Sequence, residues 1–173
     1  MLRAPPGQDT RPTTDKVREA IFSILGPPPD DAAVLDLFGG SGAMGLEALS
    51  RGAARATFVE RAKPALAILR RNLDDLGCAA RATLHAMDAI AFLGRRGGPW
   101  HWVFIDPPYR SDLARRALDA LGATASLTEG GSIVVEHDRR NPPDDAHGSL
   151  LRTGLRRYGD TELSFYRHRS EPR

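Results

Sequence analysis

Cysteine is almost absent: Cys78 stands alone in 173 residues, so an internal disulfide is excluded and a reducing cytoplasm is the simplest setting. Lysine is nearly as scarce, occurring only at Lys16 and Lys63, and arginine carries the rest of the positive charge. Arginine suits phosphate and stacked bases. A GC-rich coding bias, which also favours Ala, Gly and Pro, accounts for the same excess. No apolar run approaches the ~20 residues needed to span a bilayer, and Met1-Leu-Arg-Ala-Pro-Pro-Gly7 has no apolar signal core. Charge of one sign is not in excess either. The formal net charge is only +2, although the pI is about 9.0. Internal repeats and low-complexity segments are absent.

What is present is an ordinary globular composition, 41% apolar and 27% charged, which argues against disorder and for one domain with a real core. The chain is organised around Val34-Leu-Asp-Leu-Phe-Gly-Gly-Ser-Gly-Ala-Met-Gly-Leu-Glu47. Val34–Phe38 reads as a buried strand of a parallel sheet. Gly39, Gly40 and Gly42 permit backbone angles that a side chain forbids and let a ligand approach the main chain. Gly42–Arg51 reads as a helix with Leu46 and Leu49 on one face. A ligand there meets free N–H groups and the positive end of the helix dipole.

On either side, Met1–Pro12 reads as an extended arm, followed by a domain over residues 13–173. Thr13 or Thr14 is expected to cap a helix carrying Val17, Ile21, Ile24 and Leu25, stopped by Gly26-Pro-Pro-Pro29. Further strands are expected at Ala56–Glu60, Ala82–His85, Trp102–Asp106 and Ser132–Glu136. Helices are expected at Lys63–Leu76, from Asp88 to Leu93, and at Ser111–Leu121. Asn141–Gly148 reads as a loop. Leu151–Tyr158 and Glu162–Arg167 flank the turn Gly159-Asp160, a hairpin signal. This alternation predicts an α/β fold: a mostly parallel, Rossmann-like sheet with helices on both faces and a C-terminal antiparallel hairpin.

Ligands of such sheets sit at the carboxyl ends of the strands, and Asp36, Glu60, Asp88 and Asp106 all fall at predicted strand ends. Gly40-Ser-Gly-Ala-Met-Gly45 matches G-x-G-x-x-G, and Glu60 lies near the offset of a ribose-binding acid, so a dinucleotide oxidoreductase is one reading. Asp36 counts against it, because a carboxylate beside the glycines opposes a pyrophosphate. S-adenosylmethionine, with a sulfonium, an ammonium and no phosphate, fits better. Asp36 would pair with its cationic amino-acid end, directly or through water. Glu60 would accept from the ribose hydroxyls, and Asp88 from the adenine amine, with the Ala89 backbone alongside. Phe38, beside the glycines, and Arg61, beside Glu60, complete the candidate cofactor set with Gly39, Gly40 and Gly42. Glu60 and Asp88, taken singly, also read as a helix cap or a surface acid.

Asp106-Pro107-Pro108-Tyr109 carries the chemistry. An amino nitrogen conjugated to a ring is a poor nucleophile because its lone pair is delocalised. Two acceptors gripping its two N–H bonds make it more pyramidal, and the Asp106 carboxylate and Pro107 carbonyl supply such a pair. The two prolines hold the loop so that these oxygens need not be ordered during reaction. Tyr109 offers a flat face on which a base stacks. No metal is required. A plain turn with a core tyrosine is the alternative.

These motifs resemble those of amino-group methyltransferases acting on nucleic-acid bases. Arg11-Pro-Thr-Thr-Asp-Lys-Val-Arg-Glu-Ala-Ile-Phe22, together with the stretch from Asp36 to Ala53, resembles the RsmD family of bacterial small-subunit rRNA guanine-N2 methyltransferases, over about Arg11 to Phe165. The resemblance implies a class I methyltransferase fold, S-adenosylmethionine as donor, and a guanine of 16S rRNA as acceptor within a small-subunit assembly particle. It also implies that Thr13–Arg18 helps to close the cofactor site. Members of the family usually begin with a short basic β-segment rich in Ile, Arg and Gly. Residues 1–12 do not match it, which bears more on RNA docking than on cofactor binding. Arg3, Arg11, Lys16 and Arg18 are candidate phosphate contacts, and Arg95, Arg96, Arg115 and Arg116 a candidate basic rim. A cytoplasmic monomer without membrane association is expected. An adenine-N6 methyltransferase and a non-catalytic RNA-binding assembly factor stay open beside the guanine reading.

Overall fold

The computed structural model describes residues 12–95, 97–108 and 111–169. Helix α1 spans Pro12–Leu25, and β1 (Ala33–Asp36) leads into α2 (Ala43–Ser50). Strand β2 (Arg55–Glu60) is followed by α3 (Lys63–Asp75), a 3₁₀ turn at Ala79–Arg81 and β3 (Ala82–Ala86). Then come α4 (Ala89–Leu93), β4 (Trp100–Ile105), α5 (Leu113–Gly122), β5 (Leu127–Asp138), β6 (Ala146–His147), β7 (Leu150–Tyr158) and β8 (Thr161–His168). The strands form one sheet in the order β3-β2-β1-β4-β5-β8-β7-β6. The first five run parallel, whereas β8 lies antiparallel to both β5 and β7. The expected mixed sheet with a terminal hairpin is therefore present. Among the described residues no helix is long and apolar enough to cross a membrane.

Strand alternation sends side chains to two cores. Leu35, Val103, Ile105, Ile133 and Val135 pack with Ala89 and Phe92 of α4 and with Ala117, Leu118 and Leu121 of α5. Val34, Trp102, Phe104 and Val134 pack on the opposite side with Val17, Ile21 and Phe22 of α1. Phe22 lies edge-on to Trp102, with centroids 5.9 Å apart. Because β1 leads outward to β2 and β3, and β4 leads the other way to β5, the direction of winding reverses between β1 and β4. Their carboxyl ends diverge into a crevice, the usual ligand site of such sheets.

Several expectations need correcting. The arm does not reach Pro12, which opens α1, so Thr13 and Thr14 lie inside the first turn and neither is its cap. Proline suits that position because its missing N–H would be unpaired there anyway. Strand β1 stops at Asp36, and Leu37 and Phe38 already belong to the glycine turn. Strand β5 is much longer than Ser132–Glu136, because a bulge between Trp100 and Trp102 lets Leu127 join the ladder. Asn141–Gly148 is not wholly a loop: Ala146 and His147 pair with Leu151 and Leu150 to form the edge strand β6.

Gly45 shows how tightly α2 sits on the sheet. A Cβ there would lie 2.3 Å from Cε1 and 2.6 Å from Cζ of Phe58, whose side chain is fully buried. Alanine would gain about 1 kcal/mol of helix propensity, but overpacking a filled core costs about 1–3 kcal/mol. We therefore predict that Gly45→Ala is net destabilising by up to about 2 kcal/mol. Urea unfolding checks this, and an unchanged or raised midpoint would contradict the packing role.

Candidate active site

The glycine turn is built by backbone bonds to its neighbours. Gly39 N–H donates to the Val59 carbonyl at 2.9 Å, and Gly42 N–H donates to the Gly39 carbonyl at 2.6 Å. Buried Asn72 of α3 donates from Nδ2 to the Ser41 carbonyl at 2.9 Å and braces the turn from behind. Its glycines do different jobs. Gly40 has φ +52°, and a Cβ there would meet nothing closer than the Phe38 carbonyl oxygen at 3.9 Å, so it faces open space. Gly42 has φ +87°, and a Cβ there would lie 2.3 Å from Leu69 Cδ1. Gly42 is thus demanded by packing against α3, in addition to its left-handed backbone.

A cavity of about 330 Å³ opens at the carboxyl ends of β1, β2 and β4. Of the predicted residues, Phe38, Gly40, Glu60, Arg61, Asp88, Ala89, Asp106, Pro107 and Pro108 line it. Leu37, Val59, Met87 and Leu113 supply apolar wall that the sequence reading missed. Asp36, Gly39 and Gly42 are not in the wall. Asp36, expected to pair with the ligand directly or through water, is buried behind the turn, where its Oδ2 accepts from Gly45 N–H of α2 at 3.0 Å. Thr13 lies in α1 with its side chain outside the described residues, and Tyr109 lies outside them altogether.

Glu60 is held in place by two backbone donors. Its Oε2 accepts from Gly40 N–H at 2.9 Å and its Oε1 from Ala62 N–H at 2.7 Å. A carboxylate has about four acceptor sites, so it keeps capacity for further donors. Asp88 is indeed a helix cap: its Oδ1 accepts from the N–H groups of Ile90 and Ala91 at 2.9 and 3.0 Å. Its Oδ2 lies 3.7 Å from the exposed Arg61 guanidinium and still borders the cavity.

Asp106 follows β4 directly and stands where two cavities meet. The second, of about 350 Å³, shares Asp106, Pro107 and Pro108 with the first. Its other walls come from Ser111 and Ala114 at the start of α5, and from Glu136, His137, Asp138, Arg140 and Asn141 at the end of β5. No motif marked these residues in the sequence. The carboxyls around the junction are electrostatically crowded. Burial, assisted by the Glu60 charge and opposed by the Gly45 N–H, raises the Asp36 pKa to about 7. The Asp106 pKa is pushed well above the ordinary carboxylate range by surrounding protein, and then by the charges of Glu136 and Asp36. Part of Asp106 still faces the cavities. Acids crowded in this way favour a cationic ligand and oppose a phosphate.

The expected basic rim is only partly available. Arg18 is engaged by Asp15 at 2.9 Å and Glu47 at 3.7 Å, tying α1 to α2 rather than waiting for phosphate. Arg115 donates to Asn141 Oδ1 at 3.3 Å and to the Pro142 carbonyl at 2.5 Å, clasping the wall of the second cavity to α5. Arg116 lies 3.8 Å from Asp112. Lys16 and Arg95 are exposed, whereas Arg3, Arg11 and Arg96 lie outside the described residues.

The chain is similar to proteins of known family and fold. The family model described as "Conserved hypothetical protein 95" matches residues 1–167. Ribosomal RNA small subunit methyltransferase D of Escherichia coli is 41% identical over 153 residues, covering 87% of this chain and 77% of the relative. A solved structure of a conserved hypothetical protein from Streptococcus pyogenes is 34% identical, with TM-score 0.79, covering 86% of this chain and 93% of that one. A SAM-dependent methyltransferase from Agrobacterium tumefaciens shares the fold at 18% identity, with TM-score 0.67, covering 91% of this chain and 62% of that one. The fold is that of the class I methyltransferases.

The raised Asp36 pKa makes a prediction for the ligand-free protein. Its unfolded carboxyl ionises near pH 4 and its folded one near pH 7, so the folded state holds the proton longer and stability falls as pH rises across that window. At one pKa unit per 1.36 kcal/mol, the cost at pH 8 is on the order of 3–4 kcal/mol. Asp36→Asn keeps an oxygen for Gly45 N–H and removes the charge. It should stabilise the ligand-free protein by about 1–3 kcal/mol at pH 8 and by much less at pH 4. Denaturant titrations at the two pH values check this, and equal stability of the two proteins at pH 8 would contradict it.

Proposed function

From the premise that this chain belongs to the RsmD family, we propose that it transfers a methyl group from S-adenosylmethionine to the exocyclic N2 amine of a guanine in 16S rRNA. The observation that carries the reading is the position of Asp106-Pro107-Pro108, which walls two cavities at once. One is lined by Gly40 of the glycine turn and by Glu60, Asp88 and Asp106. The other is open to a second reactant.

The first cavity fits the donor on its own chemistry. Leu37, Phe38, Val59, Met87 and Leu113 offer apolar contact to an adenine ring. Glu60, preset by Gly40 and Ala62, accepts from ribose hydroxyls. Asp88 faces the adenine amine while its other oxygen caps α4. Asp36 acts from behind the turn as a buried negative charge toward the cationic end. S-adenosylmethionine supplies a methyl group on a positively charged sulfur, which leaves as a neutral thioether.

The chain's own part in the reaction is to hold the acceptor. The Asp106 carboxylate and Pro107 carbonyl accept the two amine N–H bonds and draw the nitrogen out of conjugation. The nitrogen–carbon bond forms as the sulfur–carbon bond breaks, and the proton leaves to Asp106 or to water. A carboxyl held above its ordinary pKa is a better proton acceptor once ionised, and a bound sulfonium favours that ionised form. The base must arrive single-stranded or flipped from its stack. Arg140, exposed at the edge of the second cavity, is placed for its phosphate. A small-subunit particle is the substrate we propose.

In a strain lacking this gene, mass spectrometry of 16S rRNA should show N2-methylguanosine lost at one position. The wild-type gene should restore it and Asp106→Ala should not. The purified variant should bind S-adenosylhomocysteine within about three-fold of wild type while turnover falls by about 100-fold or more. Loss of N6-methyladenosine instead would establish the adenine reading, and wild-type turnover by Asp106→Ala would reject its catalytic role.

A further inference from the structure

The second cavity contains a carboxylate that the transfer reaction itself does not need. Glu136 lies near the end of β5 and borders the cavity whose opposite wall is Asp106-Pro107-Pro108. Its position is rigid. Glu136 pairs in the ladder with Leu163 of β8, and the flanking residues Val135 and His137 are buried. His137 bonds through Nε2 to Ser164 Oγ at 2.8 Å and through Nδ1 to the Asp138 carbonyl at 3.2 Å. Arg140 N–H donates to Asp138 Oδ1 at 2.8 Å and closes the turn after the strand. Asp138 is therefore partly used by its own turn, whereas Glu136 is the cavity carboxylate whose charge reaches Asp106 most strongly.

A guanine gripped at its N2 amine presents N1 on one side of that amine and N3 on the other. N3 carries a lone pair that a carboxylate repels, so a carboxylate bordering the same cavity as Asp106 is accommodated on the N1 side. In guanine N1 carries a hydrogen and donates. In adenine and in 2-aminopurine N1 is a lone pair, which a carboxylate repels. A half-buried acceptor covered by the bound base and left without its donor is a strong basis for rejection, stronger than any apolar fit.

We infer that Glu136 is a specificity-determining residue, accepting the N1–H of the target guanine while Asp106 accepts from its N2 amine. This rests on the guanine reading above and deepens it. The two carboxylates together read two adjacent donors of one base edge, a pattern that guanine has and adenine lacks. Glutamine at position 136 can turn its amide N–H toward an N1 lone pair, so it should relax the choice rather than merely weaken it.

The test uses small-subunit particles reconstituted with 16S rRNA that carries guanine, 2-aminopurine or adenine at the mapped acceptor position. 2-Aminopurine keeps the 2-amino group and lacks only the N1 hydrogen and the 6-oxo group. With wild-type protein, kcat/KM should fall by about 30-fold or more from guanine to 2-aminopurine. With Glu136→Gln the guanine value should fall and the 2-aminopurine value rise, bringing the two within about three-fold. S-Adenosylhomocysteine affinity should stay within about two-fold, because Glu136 does not line the first cavity. The wild-type comparison needs no variant, so it holds even if Glu136→Gln folds poorly. Equal use of guanine and 2-aminopurine by wild type overturns the inference, as does an unchanged preference in a folded Glu136→Gln. Those outcomes leave the guanine reading intact. No methylation of the guanine-bearing RNA, or methylation of adenine in its place, sinks the parent reading and this inference with it.

Discussion

Like charges gathered at one edge of the sheet are the constraint from which the other features follow. Parallel strands end on the same edge of the sheet, and here β1 ends on Asp36, β2 on Glu60, and Asp106 follows β4 at once. Glu136 approaches from β5. The fold tolerates them by binding each to backbone donors where it can. Gly45 N–H satisfies Asp36, and the N–H groups of Gly40 and Ala62 satisfy Glu60. Burial first, and the neighbouring charges after it, leave the pKa values of Asp36 and Asp106 raised. Such a site is less stable empty than filled by a cation, as expected where binding takes precedence over stability.

The same crowding separates two readings of the glycine turn. A G-x-G-x-x-G sequence after a strand usually signals a pyrophosphate on a helix N-terminus. In this chain the start of α2 is already occupied by a carboxylate of the protein, through the Gly45 N–H to Asp36 bond. A turn arranged in this way suits a ligand without phosphate better than a pyrophosphate. Asp106-Pro107-Pro108 is wall to two cavities, so that one carboxylate borders both. Proline at two successive positions leaves that dividing wall few backbone freedoms to lose.

Much of the architecture was legible because local and global preferences coincide. The apolar runs at Val34 and Trp102, the glycine turn and Gly159-Asp160 each have one good solution. Legibility failed where a residue's role depends on a partner distant in sequence. Asp36 looks like a ligand contact until α2 folds back and Gly45 takes it. Gly42 looks like an opening for ligand until Leu69, from α3, closes over it. The Asn141–Gly148 segment is rich in turn formers, and a two-residue strand leaves no periodicity to read, so β6 was invisible. The second cavity escaped for the same reason: its residues come from the start of α5 and the end of β5, which only the tertiary fold brings together.

If a positive charge on the ligand relieves the crowded acids, binding expels protons, and proton release measures this most directly. Calorimetric titrations near pH 6.5, in buffers of different ionisation enthalpy, count the protons expelled on binding. Since Asp36 has a pKa of about 7 in the ligand-free protein, a cation that lowers it must release a substantial fraction of a proton. S-Adenosylmethionine and S-adenosylhomocysteine carry the same amino-acid ammonium, so each should release about half a proton or more. No release by either ligand would contradict a cationic end lying against Asp36.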